Sequence, residues 1–401
     1  MNIGQKKIDW VGRFMPLLNS VENEYVTKKP LNGMKVGMSI HLEAKTAYLA
    51  LLLKKLGAEV FITGSNPLST QDDVAEALKE HGLNVFAKRT SDETLYMRGI
   101  YSVLETKPNL MLDDGADLTV TAHVEMPQAL VNLRGVTEET TTGLRRLRAL
   151  QNQGKLKVPV IAVNDAFTKH LFDNRHGTGQ STWDSIMRNT NLAIAGKTVV
   201  VAGYGWCGKG VAMRARGLGA RVIITEVDPI KALEAVMEGF EVMQMKEAAK
   251  IGDFFVTVTG NISVISIEEF LQMKDGAVLA NAGHFNVEID VKALEHLCIE
   301  KFEARPNVVG YVMPNGRTIF LIGEGRLVNL AAADGHPVEI MDLSFALQAM
   351  SLIYLSAKTL EPRVYPVPTQ IDEKVAQMKL NAMNIKIDEL SVEQKKYLES
   401  F

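Results

Sequence analysis

Residues 197–228 constrain the fold more than any other stretch of this 401-residue chain. Residues 198–201 form a β-branched run that reads as a buried strand, and Gly203, Gly205 and Gly208 follow at G-x-G-x-x-G spacing. A helix then opens through Trp206, Cys207, Lys209 and Gly210. The first glycine permits a tight turn, the second lets the backbone approach a diphosphate, and the third brings helix and sheet together. The diphosphate rests on the positive N-terminal end of the helix. Residues 221–225 read as a second strand ending at Glu226, 23 residues after Gly203, where a carboxylate accepts hydrogen bonds from an adenosine ribose. That acid favours NAD over NADP. Glycines at this spacing also occur in ordinary turns, but strand, glycines, helix, strand and terminal acid in this order specify a dinucleotide site.

The length favours two principal domains, each able to bury a core. With 46% hydrophobic residues, 23% charged residues and a net charge of -3, the chain has no bulk electrostatic bias toward nucleic acid or membrane. Its two cysteines, Cys207 and Cys298, cannot build a disulfide framework. No signal-peptide pattern opens the chain, and no apolar run reads as long enough to span a membrane, so a cytoplasmic location is expected. Cys207 sits where a helix end would lower a thiol pKa, and it also suits a tight turn simply by being small. No metal-ligand set is read from the sequence.

Along the chain, residues 1–35 carry an amphipathic pattern through Ile8, Val11, Phe14, Met15 and Leu18, expected as one opening helix bent at Pro16. An α/β rhythm follows: strand 36–39, helix 46–56, strand 59–63, helix 71–81, strand 85–87 and strand 109–112. His41, the loop 66–70 and Asp114 each follow directly on a strand, where ligands of open α/β sheets collect. Residues 135–143, GVTEETTTG, read as a hydrogen-bonding loop, or else as a helix N-cap with Thr137 leading Glu138 and Glu139. A strand at 158–163 leads to Lys169 and Asp173, which share a helical face at i, i+4, a spacing that also fits a plain surface ion pair. The polar run 175–182 reads as a hinge into the dinucleotide domain. Further strands at 254–257 and 277–280 place Asn281, Gly283 and His284 beside the cofactor cleft, and 326–329 with 335–337 form a second crossing point. Residues 341–355 read as an apolar helix that packs back on the first domain, and 371–401 as a charged terminal arm.

Taken together, SIHLEAKTA, NPLSTQDD, DDGADLT, EETTTG, TKHLFDN, VAGYGWCGKG, NAGHFNVEI and EGRLVNLAAADGHP resemble, in order and over essentially the whole chain, the S-adenosyl-L-homocysteine hydrolases. The resemblance implies an α/β protein with a split α/β substrate domain (1–175 plus 338–370), a Rossmann-type NAD domain (176–337) and a small C-terminal arm (371–401) used in oligomerisation, usually into homotetramers. It implies a tightly held, recycled NAD and reversible cleavage of a nucleoside–homocysteine thioether, a step of the methyl cycle. Oxidation at C3' acidifies the C4' proton; homocysteine thiolate leaves, water adds at C5', and the ketone is reduced again.

By the same resemblance Lys169, with Asp173, is the base for the 3'-hydroxyl, a role that requires a depressed pKa or a proton relay. His41, Asp114, His284 and His336 serve the C4' proton, the leaving sulfur and the water, without a finer assignment. Glu139 grips the ribose hydroxyls, with Asp114, Lys169, Asp173, Glu43, Lys45 and Thr46 completing the substrate set. Thr140, Thr141, Thr142, Asn174, Gly203, Gly205, Trp206, Cys207, Gly208, Lys209, Gly210, Glu226, Asn281, Gly283, His284, Asn329 and His336 match cofactor contacts.

Three positions depart from the family pattern. Glu43 stands where a Thr is usual and Lys45 where a Gln or Glu is usual, at the edge that reads the base. A carboxylate only accepts and an ammonium only donates, so Glu43 suits the N1–H and Lys45 the O6 of hypoxanthine, which points to S-inosyl-L-homocysteine. Against this, Glu43 near a helix start is favoured by the dipole alone, and Lys45 can extend to solvent. Thr178 replaces a common Cys, and the usual Lys- and Tyr-containing tail is missing after Phe401, so easier NAD exchange and a less certain tetramer are expected. The alternatives are a dehydrogenase that releases NADH and a non-catalytic nucleotide-sensing relative; the second predicts loss of Lys169, Asp114 or His284, all of which are present.

Overall fold

The structure is a computed structural model that describes residues 2–400. Two sheets organise it. The first contains β1 (Lys35–Ser39), β2 (Glu59–Thr63), β3 (Asn84–Val85), β4 (Leu110–Asp113), β5 (Gly135–Glu138) and β6 (Val160–Ala162). The second contains β7 (Thr198–Ala202), β8 (Arg221–Thr225), β9 (Glu241–Val242), β10 (Phe254–Thr257), β11 (Ala277–Asn281), β12 (Glu300–Arg305), β13 (Val308–Val312) and β14 (Thr318–Ile322). β15 (Val364–Pro366) returns to the first sheet beside β6.

The first sheet runs β15-β6-β5-β4-β1-β2-β3, all parallel, and the second runs β12-β13-β14-β11-β10-β7-β8-β9, antiparallel only through β12 to β14. Among its parallel strands each therefore reverses order once, between β1 and β4 and between β7 and β10. Such reversals open a crevice at the carboxyl ends of the strands. Strands with helices on both faces must be apolar on both faces, and β1, β4, β7, β10 and β11 are buried along nearly their whole length.

The helix Val338–Ala357 packs on β4, β5 and the helices Pro16–Tyr25 and Ala44–Lys55, covering the first sheet. Its 20 residues include an 18-residue stretch with a mean hydropathy of 1.4, long and apolar enough to cross a membrane, which corrects the expectation that no such run exists. It is a core helix all the same: 72% of its most apolar 18-residue stretch is buried inside the protein, and Asp342, Ser344 and Gln348 each hydrogen-bond within the chain.

Other expectations change too. The opening segment is two helices, Ile3–Arg13 and Pro16–Tyr25, because Pro16 takes the first-turn position and Asp342 accepts the free N–H groups of Leu17 and Leu18. The strand expected at 85–87 is the two-residue β3. Residues 135–143 are neither loop nor a cap led by Thr137: Gly135–Glu138 is β5, and Thr140 caps the next helix by accepting from Gly143 N at 2.9 Å. The expected hinge at 175–182 is helical, a wide π-type turn over His170–Gly177 running into the helix Thr178–Thr190. Such turns let side chains of one helix converge where regular spacing would separate them.

Candidate active site

Both crevices open into one cleft of about 1140 Å³, lined from the first sheet by His41, Asp114 and Glu139 and from the second by Gly203, Glu226 and His284. A pocket for one small ligand is typically ~300–1,000 Å³, and this cleft exceeds that range.

On the second-sheet side, Gly203 has φ 103°, and a Cβ on Gly208 would lie 2.0 Å from the Gly203 carbonyl oxygen. Only glycine fits at either position. The helix Trp206–Gly217 aims its N-terminal end at the cleft, and Glu226 closes β8. Glu226 is held by three backbone N–H groups, Tyr204 at 2.7 Å, Val227 at 2.7 Å and Asp228 at 3.1 Å. The buried Asn329 Oδ1 at the cleft wall has no hydrogen-bond partner, an acceptor left for a ligand donor. Thus the glycine cradle, the helix end, the fixed acid and the open acceptor all fit NAD.

Across the cleft, Lys169 is buried with its ammonium 3.1 Å from Asp173 Oδ2, 3.2 Å from Glu139 Oε1 and 2.8 Å from Asn174 Oδ1. Burial alone would lower its pKa, but Asp173 and Glu139 together prevail and raise it. The depressed lysine expected from the chemistry is therefore absent, and the relay alternative remains. Asp173 resists the effect of burial because Lys169 and His336 hold it well below the carboxylate range, whereas burial pushes Glu139 up to about 7. The geometry is kept by residues that the sequence did not single out. Ser344 donates to Asp173 at 2.6 Å, Gln348 donates to Glu139, and Asn164 accepts from Asn174 at 2.9 Å. Asp372, from the C-terminal segment, takes the N–H groups of Phe167 and Thr168 ahead of Lys169. Ser344, Gln348 and Asp372 are ordinary polar residues on distant segments, with no local motif to mark them.

Deeper in the first-sheet crevice, Asp114 lies 3.7 Å from both His41 Nε2 and His284 Nδ1. Ser69 Oγ holds His41 Nδ1 at 2.8 Å. Burial lowers the His41 pKa to about 3, lowers that of His284 against the pull of Asp114, and raises that of Asp114 itself. Gly115 has φ 100°, and a Cβ there would meet His284 Nε2 at 2.2 Å, so glycine is needed for this approach of the two sides. The ligand atoms of His41, Asp114 and His284 lie within 4.8 Å of one another, a spacing that would also suit a metal ion.

His336 joins the Lys169 group, bonded through Nδ1 to Asp173. Thr178 bridges His336 Nε2 at 3.3 Å and Cys207 Sγ at 3.5 Å. The Cys207 thiol is pushed up by burial, against the lowering expected for a reactive one. Glu43 is the N-cap of the helix Ala44–Lys55, taking the N–H of Lys45 at 3.0 Å and of Thr46 at 3.3 Å, while Lys45 Nζ sits 2.7 Å from Glu43 and 2.9 Å from the Asp334 carbonyl. Both side chains line the cleft and meet there because Glu43 is still extended, one residue before the helix.

Thr140, Thr141, Thr142, Asn174, Gly205, Trp206, Cys207, Lys209 and Gly283 also line the cleft. Gly208, Gly210 and Asn281 do not. Gly208 packs on Gly203 and Gly210 on the Arg175 carbonyl, and Asn281, fully buried, bonds Gly283, Phe285 and Gly325 and so shapes the loop that carries His284.

Two doubly wound sheets facing one cleft, with a dinucleotide cradle on one side and a lysine between two carboxylates on the other, define an NAD-binding α/β enzyme with a second small ligand. The comparisons narrow this. Residues 1–131 match the S-adenosyl-L-homocysteine hydrolase model and residues 174–335 its NAD-binding domain. The adenosylhomocysteinase of Thermotoga maritima is 64% identical over 403 residues, covering 100% of both chains. The S-inosyl-L-homocysteine hydrolase of Methanocaldococcus jannaschii is 55% identical over 400 residues, 99% of this chain and 96% of that one. A dipicolinate synthase chain of Bacillus halodurans matches in fold alone, with a TM-score of 0.52 and 15% identity over 82% of this chain and 100% of that one. The chain belongs to the S-adenosyl-L-homocysteine hydrolase family, and its cofactor is NAD.

Proposed function

We propose that the chain reversibly hydrolyses the thioether of an S-nucleosyl-L-homocysteine, releasing nucleoside and L-homocysteine. The observation that carries this reading is Lys169 clamped between Glu139 and Asp173 on the wall of the NAD cleft. When bound, NAD supplies a reversible hydride acceptor for C3'. Glu139 and Asp173 orient the ribose and Lys169 moves the 3'-hydroxyl proton. Glu139, poised near 7 and 3.2 Å away, is placed to relay it. His41, Asp114 and His284 handle the C4' proton and the C5' substituent. Burial lowers the pKa of both His41 and His284, so both imidazoles are uncharged near neutral pH.

For the base, the reading is hypoxanthine, with Glu43 accepting from N1–H and Lys45 donating to O6. Lys45 Nζ has two protein partners, Glu43 and the Asp334 carbonyl, which leaves a third hydrogen for O6. The adenosylhomocysteinases match at 55–64% identity and the S-inosyl-L-homocysteine hydrolases at 54–55%, so overall similarity does not favour hypoxanthine and this reading rests on Glu43 and Lys45 alone. The test is synthesis-direction activity of the NAD-loaded enzyme with homocysteine and equal adenosine or inosine. Preference for inosine supports the Glu43–Lys45 reading, and preference for adenosine makes the pair a helix cap. Stoichiometric free NADH would instead reveal a dehydrogenase.

The reading extends to a substrate domain of residues 1–175 and 338–370, an NAD domain of 176–337 and an arm of 371–401. It also extends to a cytoplasmic homotetramer assembled through that arm.

A further inference from the structure

Glu138 lies outside the cleft and is fully buried at the end of β5. Its Oε1 accepts three hydrogen bonds: from Gly115 N at 2.9 Å, Thr140 N at 2.8 Å and Thr140 Oγ1 at 2.8 Å. The first donor belongs to the loop after β4, one residue beyond Asp114 and under His284. The other two belong to the residue that opens the Thr140–Thr142 run on the cleft wall and caps the helix Thr141–Asn152. One oxygen thus ties the two loops together.

The surroundings are shaped to admit it. A Cβ on Gly143 would lie 2.2 Å from Glu138 Oε1, so the glycine in the first turn of that helix leaves room for the carboxyl. We infer that Glu138 is a positioning residue. Its Oε1 fixes the Asp114–Gly115 turn relative to Thr140–Thr142, and so sets the distance between the groups that work on the nucleoside and those that hold NAD. The inference rests on the proposed roles of Asp114 and of the threonine run. Burial and the neighbouring Asp113, in register with Glu138 on β4, push its carboxyl well above the usual range. An amide, which keeps the acceptor, is therefore a fair stand-in for the side chain.

The test uses the full-length NAD-loaded enzyme and the variants E138A, E138Q, G143A and G143A with E138A. It compares the rate of NAD loss and kcat/KM in the synthesis direction at a temperature where all are folded by circular dichroism. E138A is expected to lose NAD faster and to drop about 100-fold in kcat/KM, the scale of a displacement near 1 Å. E138Q is expected to recover most of both. G143A is expected to mimic E138A and to add nothing in its background, because its harm passes through the displaced carboxyl. The inference falls if E138A stays within about twofold of the parent in both readouts, the scatter of an uninvolved site. It also falls if E138Q is no better than E138A, or if G143A costs as much with Glu138 absent as present. The NAD-loss arm needs no substrate, so it still reads out if the parent turns over neither nucleoside, a result that would overturn the proposed function instead.

Discussion

Asp173 places one carboxylate oxygen 3.1 Å from Lys169 Nζ and gives the other to His336 Nδ1. One buried group thereby keeps the lysine charged and fixes which imidazole nitrogen carries hydrogen. D173N preserves the shape and removes the charge, leaving Glu139 alone beside the ammonium. The burst of NADH absorbance on mixing the enzyme with nucleoside should slow by about 10²- to 10⁴-fold, the usual worth of a positioned acid–base group. Nucleoside affinity should change far less, because Glu139 and its Gln348 support remain. Stopped-flow absorbance with a parallel binding titration checks this, and an unchanged burst would remove Asp173 from the proton path.

The pH profile should separate the carboxylates from the histidines. Burial raises Glu139 to about 7, so it gains a proton as pH falls through 7 and the ion pair with Lys169 is lost on the acid side. His41, lowered to about 3, stays neutral throughout that window. The kcat/KM of the parent should therefore fall below about pH 7. In H41N the rate should drop while the midpoint of that limb stays in place, and in E139Q the limb near 7 should disappear. A limb that moves with His41 and not with Glu139 would reverse the assignment.

How much of the fold and site is legible in the sequence follows from how local each signal is. The dinucleotide cradle was readable because a strand, three glycines, a helix start and an acid lie within about 30 residues, and each position has its own steric reason. The strand-end placement of His41 and Asp114 was readable for the same reason. Residues 135–143 are ambiguous in sequence because capping residues look alike: Thr137 and Thr140 both precede helical residues, and only pairing of Thr137 with Leu112 and Ile161 puts it in a strand. The helical path through 175–182 was hidden by its polarity, since a wide turn leaves no hydrophobic period. Ser344, Gln348, Asp372 and Glu138 were invisible as site residues because their partners lie 209, 204 or 171 positions away, or in the case of Glu138 are backbone N–H groups.

Glu226 should set cofactor choice as well as affinity. Three backbone N–H groups fix its carboxylate at the end of β8, so it cannot swing aside for a second negative charge. A like charge set against it costs several kcal/mol. E226A should therefore raise the affinity for NADP relative to NAD by more than about tenfold, or ~1.4 kcal/mol. The apoenzyme titrated with each dinucleotide by fluorescence gives the ratio directly. An unaltered ratio would mean that NADP is excluded by shape rather than by charge.

The C-terminal segment gives the last prediction. The helix Val392–Glu399 buries none of its residues, and Ile385, Ile387, Leu390, Val392, Tyr397 and Leu398 are all exposed. An eight-residue helix with no packed face is marginal in water. Its apolar side chains are therefore expected to be covered by a second copy of the chain. Within the proposed arm the preceding helix, Thr369–Ala382, is docked through Asp372 on the turn before Lys169, so only the part beyond it stands clear of the body. Deleting residues 384–401 should leave the circular dichroism of the body and NAD binding intact. The mass measured by light scattering should fall, and the melting temperature of the shortened chain should lose any dependence on protein concentration. Retention of the parent mass would show that assembly runs through other surfaces. Loss of the folded body would show that the arm stabilises its own chain.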